Sequence, residues 1–265
     1  LQEGVLRPEM EYYCDNGYYA GNLFVGCHFH VAPLNLREAV MHSCNTYFCH
    51  VFRNIIDRTG TADVYEGYDR WRNHLMSFGL GKKLGSDFTN ELSGFIPETS
   101  YYDRYYGKGG WRSLTIISMA IGQGELLITP LQMANMTASI ANRGYYKTPH
   151  ILKGIEGLDS LPAKYTEKHY TTIDSSNYEV IVDGMKLAVN EPLGSGATAW
   201  RARLNGIEVA GKTGTAQNEN EKDHSIFIAF APADDPQIAL AVYVERGGFG
   251  NTYAAPIAGL MIEKY

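Results

Sequence analysis

The sequence predicts a mixed α/β fold of the α+β kind, an antiparallel sheet flanked by helices with a largely helical part before it. Three observations carry this expectation. Up to about residue 200, apolar residues recur mostly at helical spacing. From residue 206 the period becomes that of strands, over 208–216, 225–231 and 237–245. The links between these strands are a polar loop over 217–224 and the turn Pro232-Ala233-Asp234-Asp235-Pro236. Links that short join antiparallel neighbours, because a parallel crossover needs a dozen residues or more.

The elements follow in order. Leu1-Gln2-Glu3-Gly4-Val5 reads as the end of a helix, with Gly4 as its left-handed cap and Pro8 as its stop. Residues 9–32 are rich in Tyr, Gly, Cys and His and keep no period. They are expected to form an extended loop with short strands, fastened by something other than a core. Asn35-Leu36-Arg37-Glu38 has the pattern of a capping box and starts a short helix running into Ser43. A second helix carries Tyr47, Phe48, Val51, Phe52, Ile55 and Ile56 on one stripe and ends at Gly60. Trp71, Leu75, Met76 and Phe78 mark a third, closed by Gly79. Residues 81–114, with six Gly and repeated Tyr, are predicted to be a long loop. Thr129-Pro130 is a cap followed by proline at the first helical position, and that helix ends near Asn142 and Gly144. Residues 176–190 make another helix, with Ser175 and Ser176 as its caps. Residues 254–265 should form a last helix packed on the sheet. No repeat or linker divides the chain, so one domain is expected: a tethered loop over 9–32, a mainly helical part over 33–200, and sheet plus helix over 206–265.

Composition narrows the function. The chain has 265 residues, 45% hydrophobic and 20% charged, an ordinary globular balance. A net charge of −6 argues against a nucleic-acid partner bound through its phosphates. The longest unbroken apolar run, 238–244, is far short of the roughly 20 residues of a membrane-spanning helix. Four cysteines are too few for a disulfide scaffold and enough for one metal site.

Two short motifs carry candidate chemistry. Lys212-Thr213-Gly214-Thr215 falls at the end of the first strand of the meander. On an edge strand these residues make a carboxylate-binding ledge: a charge from Lys212, hydroxyl donors from Thr213 and Thr215, and at Gly214 no Cβ to keep a ligand backbone away. A solvated strand end would look the same in isolation. Ser43-Cys44-Asn45 lies at a break between two apolar helices, where a polar pair calls for a reason. Ser175-Ser176-Asn177 matches the same Ser-x-Asn pattern, so that motif alone is weak.

Ser-x-Asn followed at long range by Lys-Thr-Gly resembles the penicillin-recognising serine transpeptidases and β-lactamases. Met119-Ala120-Ile121-Gly122-Gln123-Gly124, Thr129-Pro130-Leu131-Gln132-Met133, Ile140-Ala141-Asn142-Arg143-Gly144 and 224–232 (HSIFIAFAP) are similar to the class B penicillin-binding proteins, most of all the elongation-type enzymes. The resemblance runs the length of the chain and implies a β-lactamase/transpeptidase-like fold with an all-helical subdomain.

That family has a third motif, Ser-x-x-Lys, holding the nucleophile and its base. No serine here has Lys three residues on; after Ser160 the position is Ala163, and Lys164 follows. In the family this motif precedes a segment like Leu1–Gly4. The expectation is therefore that it lies upstream, with the first strands of the sheet, and that these 265 residues alone are inactive.

The resemblance also implies roles. The absent serine attacks the penultimate D-Ala of a D-Ala-D-Ala stem peptide. Ser43 relays a proton, Asn45 bonds the substrate amide, Lys212, Thr213 and Thr215 hold the terminal carboxylate, Gly214 lets the substrate backbone lie close, and the Thr215 N–H completes an oxyanion hole with the N–H of the absent serine. β-Lactams would trap the acyl-enzyme. A membrane glycosyltransferase of the elongation machinery is the implied partner, and the periplasmic face of an inner membrane the implied location. A β-lactamase or β-lactam sensor of the same fold is the alternative enzyme, and a non-catalytic scaffold module the alternative outside enzymes.

All four cysteines, and four of the eight histidines, fall in the first fifty residues. Cys27-x-x-His30 is a short-spaced ligand pair, and three Cys with one His is a common zinc set. The resemblance implies a metal beside Ser-x-Asn, with His30 and Cys44 where ligands belong. The favoured set is Zn²⁺ on Cys14, Cys27, His30 and Cys44; Asp15 or His28 could replace one of them. A Cys14–Cys27 disulfide with buried Cys44 and Cys49 is the competing reading, and inert thiols are the third. Cys49 sits beside Phe48 and Phe52 and reads as core. The tyrosine groups 12, 13, 18, 19 and 101, 102, 105, 106 read as loop anchors first and as stacking surfaces for glycan or peptide second.

Overall fold

The structure, a computed structural model, describes residues 1–58, 63–157, 159–218 and 221–265. The first turn is not a helix, yet Gly4 does hold the left-handed conformation expected of it, with φ +68°. The 9–32 segment carries a hairpin, β1 (Gly17–Ala20) paired with β2 (Leu23–Gly26). Helices α1 (Leu36–His42) and α2 (Asn45–Ile56) follow, and Asn35 and Glu38 form both bonds of the predicted capping box. α2 ends at Ile56 with Asp57 as its C-cap, short of the predicted stop at Gly60, which itself lies outside the described residues.

α3 (Val64–Ser77) closes at Gly79, φ +85°. The predicted 81–114 loop is interrupted by α4 (Thr99–Tyr106), a correction with a local cause. Tyr101, Tyr102 and Tyr105 recur at helical spacing, but glycines at 94, 107, 109 and 110 hide the helix in a loop-like composition. A 3₁₀ segment (Ser113–Ile121) and α5 (Pro130–Ala141) come next, the latter capped by Thr129. A small pair, β3 (Tyr145–Tyr146) with β4 (His169–Tyr170), encloses the single turn α6 (Ala163–Thr166). α7 (Glu179–Asn190) starts three residues later than expected. Ser175 and Ser176 lie in a preceding 3₁₀ turn and make no capping bond.

The meander is as predicted: β5 (Ala210–Ala216), β6 (His224–Ala231) and β7 (Ile238–Val244) are antiparallel in the order β5-β6-β7. α8 (Ala254–Lys264) packs on β6 and β7. Period-two alternation along β6 splits its side chains between two cores. Phe227, Ala229 and Ala231 join Leu240, Ala258 and Ile262 under α8. Phe230 and Ile228 face Val40, Tyr47 and Met185 on the side of α1 and α7. α1 and α7 meet at Gly184, where a Cβ would stand 2.8 Å from the Arg37 carbonyl oxygen. A third core, with Phe52, Tyr68, Tyr102, Trp111 and Met119, holds the helical part together. The motif residues sit at the seam between the first and third cores. Among the described residues no helix is long and apolar enough to cross a membrane.

Candidate active site

A cleft of about 510 Å³ opens where β5, the α1–α2 junction and residues 120–123 meet, and both sequence motifs line it. Ser43 is the C-cap of α1, with φ 56° and ψ 46°, and its N–H donates to the carbonyls of Ala39 and Val40. A serine pays roughly 1–2 kcal/mol for this left-handed backbone, and such strain concentrates at functional positions. Cys44 is the N-cap of α2, its Sγ accepting from the Tyr47 N–H at 3.4 Å. The helix break therefore aims neighbours apart. Ser43 and Asn45 line the cleft, while Cys44 is buried on the other side, as the sequence predicted.

The two motifs touch. Lys212 Nζ donates to Ser43 Oγ at 2.6 Å and to the Thr213 carbonyl at 2.9 Å. Burial pushes the Lys212 ammonium down to about 8. Among the described residues β5 pairs on one side only, with Lys212 opposite Ile228 and Thr213 opposite Phe227. Its free edge leaves backbone donors and acceptors for an extended ligand. Thr213, Gly214 and Thr215 complete the ledge. Asn45 Nδ2 donates to the Gly26 carbonyl at 2.8 Å, which fixes the amide plane. Its Oδ1 accepts no hydrogen bond among the described residues.

The structure adds residues that sequence reasoning missed. Gln217, Asp223 and Phe249 line the cleft, Phe249 with 73% of its surface exposed. The loop after β7 lies directly on the motif strand: a Cβ at Gly250 would stand 2.5 Å from the Ile226 oxygen and 2.7 Å from the Gly214 oxygen. The signal for it was the run Gly247-Gly248-Phe249-Gly250 just after a strand. Gln123, from the 119–124 motif, lines the cleft as well. Ser113 is buried and donates to Asp57 Oδ2 at 2.5 Å.

Behind Ser43 and Asn45, the ligand atoms of Cys14, Cys27, His30 and Cys44 all lie within 4.8 Å of one another. Asp15 and His28 do not belong to this group; His28 lines the cleft instead, where burial pushes its imidazolium pKa down. Cys27 Sγ and His30 Nε2 are 3.6 Å apart. Tetrahedral zinc with bonds of roughly 2.0–2.3 Å needs ligand separations of roughly 3.4–3.8 Å, so this donor set fits such an ion with small adjustments. The surroundings suit thiolates as well. Cys27 Sγ accepts from the Asn45 N–H at 3.3 Å, and the Cys44 thiol donates to it. That bond, then the Asn45 and His30 contacts, pulls the Cys27 thiol down to about 4 against the effect of burial, and pushes the donor Cys44 up. His30 Nδ1 lies 2.6 Å from the Val31 carbonyl, a contact that puts the proton on Nδ1 and leaves Nε2 free as a ligand. All four cysteines are free thiols. Cys49 is fully buried in the helical core, and burial pushes it up to about 12.

Comparison with known proteins gives a consistent answer. The family model described as the penicillin binding protein transpeptidase domain matches residues 1–263. The peptidoglycan D,D-transpeptidase MrdA of Haemophilus influenzae is 34% identical over 248 residues, covering 87% of this chain and 36% of that protein. Penicillin-binding protein 2 (PBP2) of Pseudomonas aeruginosa, solved in complex with WCK 5153, superposes with a TM-score of 0.77 at 30% identity, over 97% of this chain and 54% of that one. A structure described as a peptidoglycan synthase complex coordinating polymerization and crosslinking matches with a TM-score of 0.79 at 25% identity, over 98% of this chain and 43% of that one. The chain thus spans about a third of the MrdA relative and about half of the solved chains. With the motif cleft in place and the family model matched almost end to end, the chain belongs to the penicillin-binding protein transpeptidase family, on its class B branch of PBP2 and MrdA type.

Proposed function

We propose that these residues form the substrate-holding part of a serine D,D-transpeptidase that cross-links peptidoglycan stem peptides. The observation that carries this reading is the bond from Lys212 to Ser43 inside a cleft bounded by the open edge of β5. A stem peptide ending in D-Ala-D-Ala lies along that edge, its terminal carboxylate on Thr213, Thr215 and the Lys212 charge. Asn45 Oδ1 accepts from the peptide amide. The nucleophile belongs to a Ser-x-x-Lys motif, which these 265 residues do not contain. Its Oγ bonds to the penultimate D-Ala carbonyl carbon, the peptide C–N bond breaks, and the departing D-Ala amine takes a proton through Ser43. The Thr215 backbone N–H stabilises the oxyanion, a contribution of about 2.7–4 kcal/mol per donor. The amine of a second stem peptide then displaces the serine and forms the cross-link. A β-lactam enters as a mimic of D-Ala-D-Ala and stops at the acyl-enzyme. The 265 residues alone form no acyl-enzyme.

Cys14, Cys27, His30 and Cys44 hold a structural zinc ion, which supplies cross-linking between the poorly packed 9–32 segment and the first turn of α2. In this reading the site works on the extracytoplasmic face of an inner membrane, beside a glycan-polymerising partner of the kind that the peptidoglycan synthase complex suggests. The test is release of D-Ala and formation of cross-linked dimer by the full-length protein. Activity lost in Ser43→Ala and Lys212→Gln supports the reading, and dimer formation unaffected by both contradicts it.

A further inference from the structure

We infer that the outer face of α4 is a glycan subsite, which holds the amino-sugar backbone of the strand whose peptide enters the cleft. This rests on the transpeptidase reading above. α4 divides its tyrosines between two tasks. Tyr102 is fully buried, its hydroxyl within hydrogen-bond distance of two acceptors, Glu125 Oε2 at 3.1 Å and Met119 Sδ at 2.8 Å. Tyr101 and Tyr105 lie outside, and with Phe95 they form a row of rings. The Phe95 and Tyr101 centroids are 5.5 Å apart, and those of Tyr101 and Tyr105 are 4.9 Å apart. Phe95 is 37% exposed and Tyr105 66% exposed. Loop anchoring explains Tyr102 and the inner side of Tyr101, which packs on the same core, and leaves the exposed faces of Phe95 and Tyr105 without a structural task.

The row borders a cavity of about 410 Å³ lined by Arg72, Ser93, Phe95, Glu98, Tyr101 and Arg104. Arg72 is held, donating to the Ile96 carbonyl at 3.3 Å and pairing with Glu98 at 3.5 Å. Arg104 has no hydrogen-bond or ion-pair partner among the described residues. Aromatic faces beside planar, charged hydrogen-bonding groups are the chemistry that recognises a sugar. The apolar face of a pyranose ring packs on tyrosine, while guanidinium, carboxylate and hydroxyl groups pair with its hydroxyls and acetamido groups. An apolar protein surface would leave two arginines and a carboxylate poorly matched. The location fits too. Glu125, which Tyr102 holds, follows Gln123 by two residues, and 120–123 form a wall of the cleft. The segment that walls the cleft thus leads directly into the residue on which the inner face of α4 rests.

The probe is peptidoglycan glycan freed of its stem peptides by an amidase, titrated into the full-length protein by calorimetry. Penicillin acylation is measured in parallel. We expect saturable binding by the wild type, weakened tenfold or more in Tyr105→Ala and in Arg104→Ala, with acylation rates unchanged in both. Absence of glycan binding, or equal binding by both variants, overturns the inference while normal acylation leaves the transpeptidase reading intact. Absence of acylation in the wild type points instead to failure of that reading.

Discussion

Lys212 and Ser43 are 169 residues apart in the chain and 2.6 Å apart in the fold, the ammonium donating to the hydroxyl. This contact joins the two motifs into one cleft and brings a charged amine into a desolvated site. Most of the expected chemistry follows from it.

The amine should make stability depend on pH. Burial lowers the Lys212 pKa to about 8 from an ordinary 10.5. Below about pH 8 the ammonium is charged in both states, and the folded state bears the full burial cost, up to about 3 kcal/mol. The cost fades as pH rises from 8 to 10.5, where both states become neutral. Lys212→Gln should therefore compare more favourably with wild type at pH 7 than at pH 10 in urea unfolding. A difference independent of pH would contradict this. Affinity for a carboxylate ligand should also fall as pH rises through 8.

Ser43 separates strain from chemistry. Ser43→Ala and Ser43→Gly both remove the hydroxyl, and each should lower transpeptidation about 10²–10⁴-fold, the scale of a lost proton relay. Only glycine suits φ 56° without a penalty, so the Gly variant should be about 1 kcal/mol more stable than the Ala variant. Calorimetric melting of the two proteins measures it; equal stability would mean that Ser43 carries no backbone strain.

Zinc should follow the four clustered side chains and no others. Elemental analysis of the purified protein should find one zinc per chain. Cys14→Ser or Cys27→Ser should lose the metal and more than about 3 kcal/mol of stability. Cys49→Ser should keep the metal, because Cys49 lies in the helical core. A metal-free wild type would refute the proposed site.

Gly250 should act on the cleft from outside both motifs. A methyl group there meets the oxygens of Gly214 and Ile226, so Gly250→Ala must lift the 246–252 loop or displace β5. Overpacking of this kind costs about 1–3 kcal/mol. Acylation should slow while zinc content stays unchanged, and unaltered acylation kinetics would argue against this coupling.

Local signals were legible in the sequence where one short stretch of chain determines the outcome. The Asn35 and Thr129 caps and the three-strand meander needed only neighbouring residues. The thiol cluster was legible because its four side chains fall within 31 positions of one another and had no better use. α4 was missed because its tyrosines lie among glycines, and the β3–β4 pair because two-residue strands have no period to read. Gln217 and Asp223 reach the cleft through tertiary packing of a loop, which no spacing in the sequence encodes, and for Phe249 the only signal was the glycine run around it. His28 looked like a spare ligand beside Cys27 and His30, yet it lies in the cleft.

The most direct test of the central claim is the intact mass of the full-length protein after incubation with benzylpenicillin, followed by peptide mapping of the adduct. The account predicts one penicilloyl group per molecule, on a serine of a Ser-x-x-Lys motif outside these 265 residues, and a rate sharply reduced in Lys212→Gln. An adduct on Ser43 or on any other residue of this chain, or no adduct at all, would contradict it.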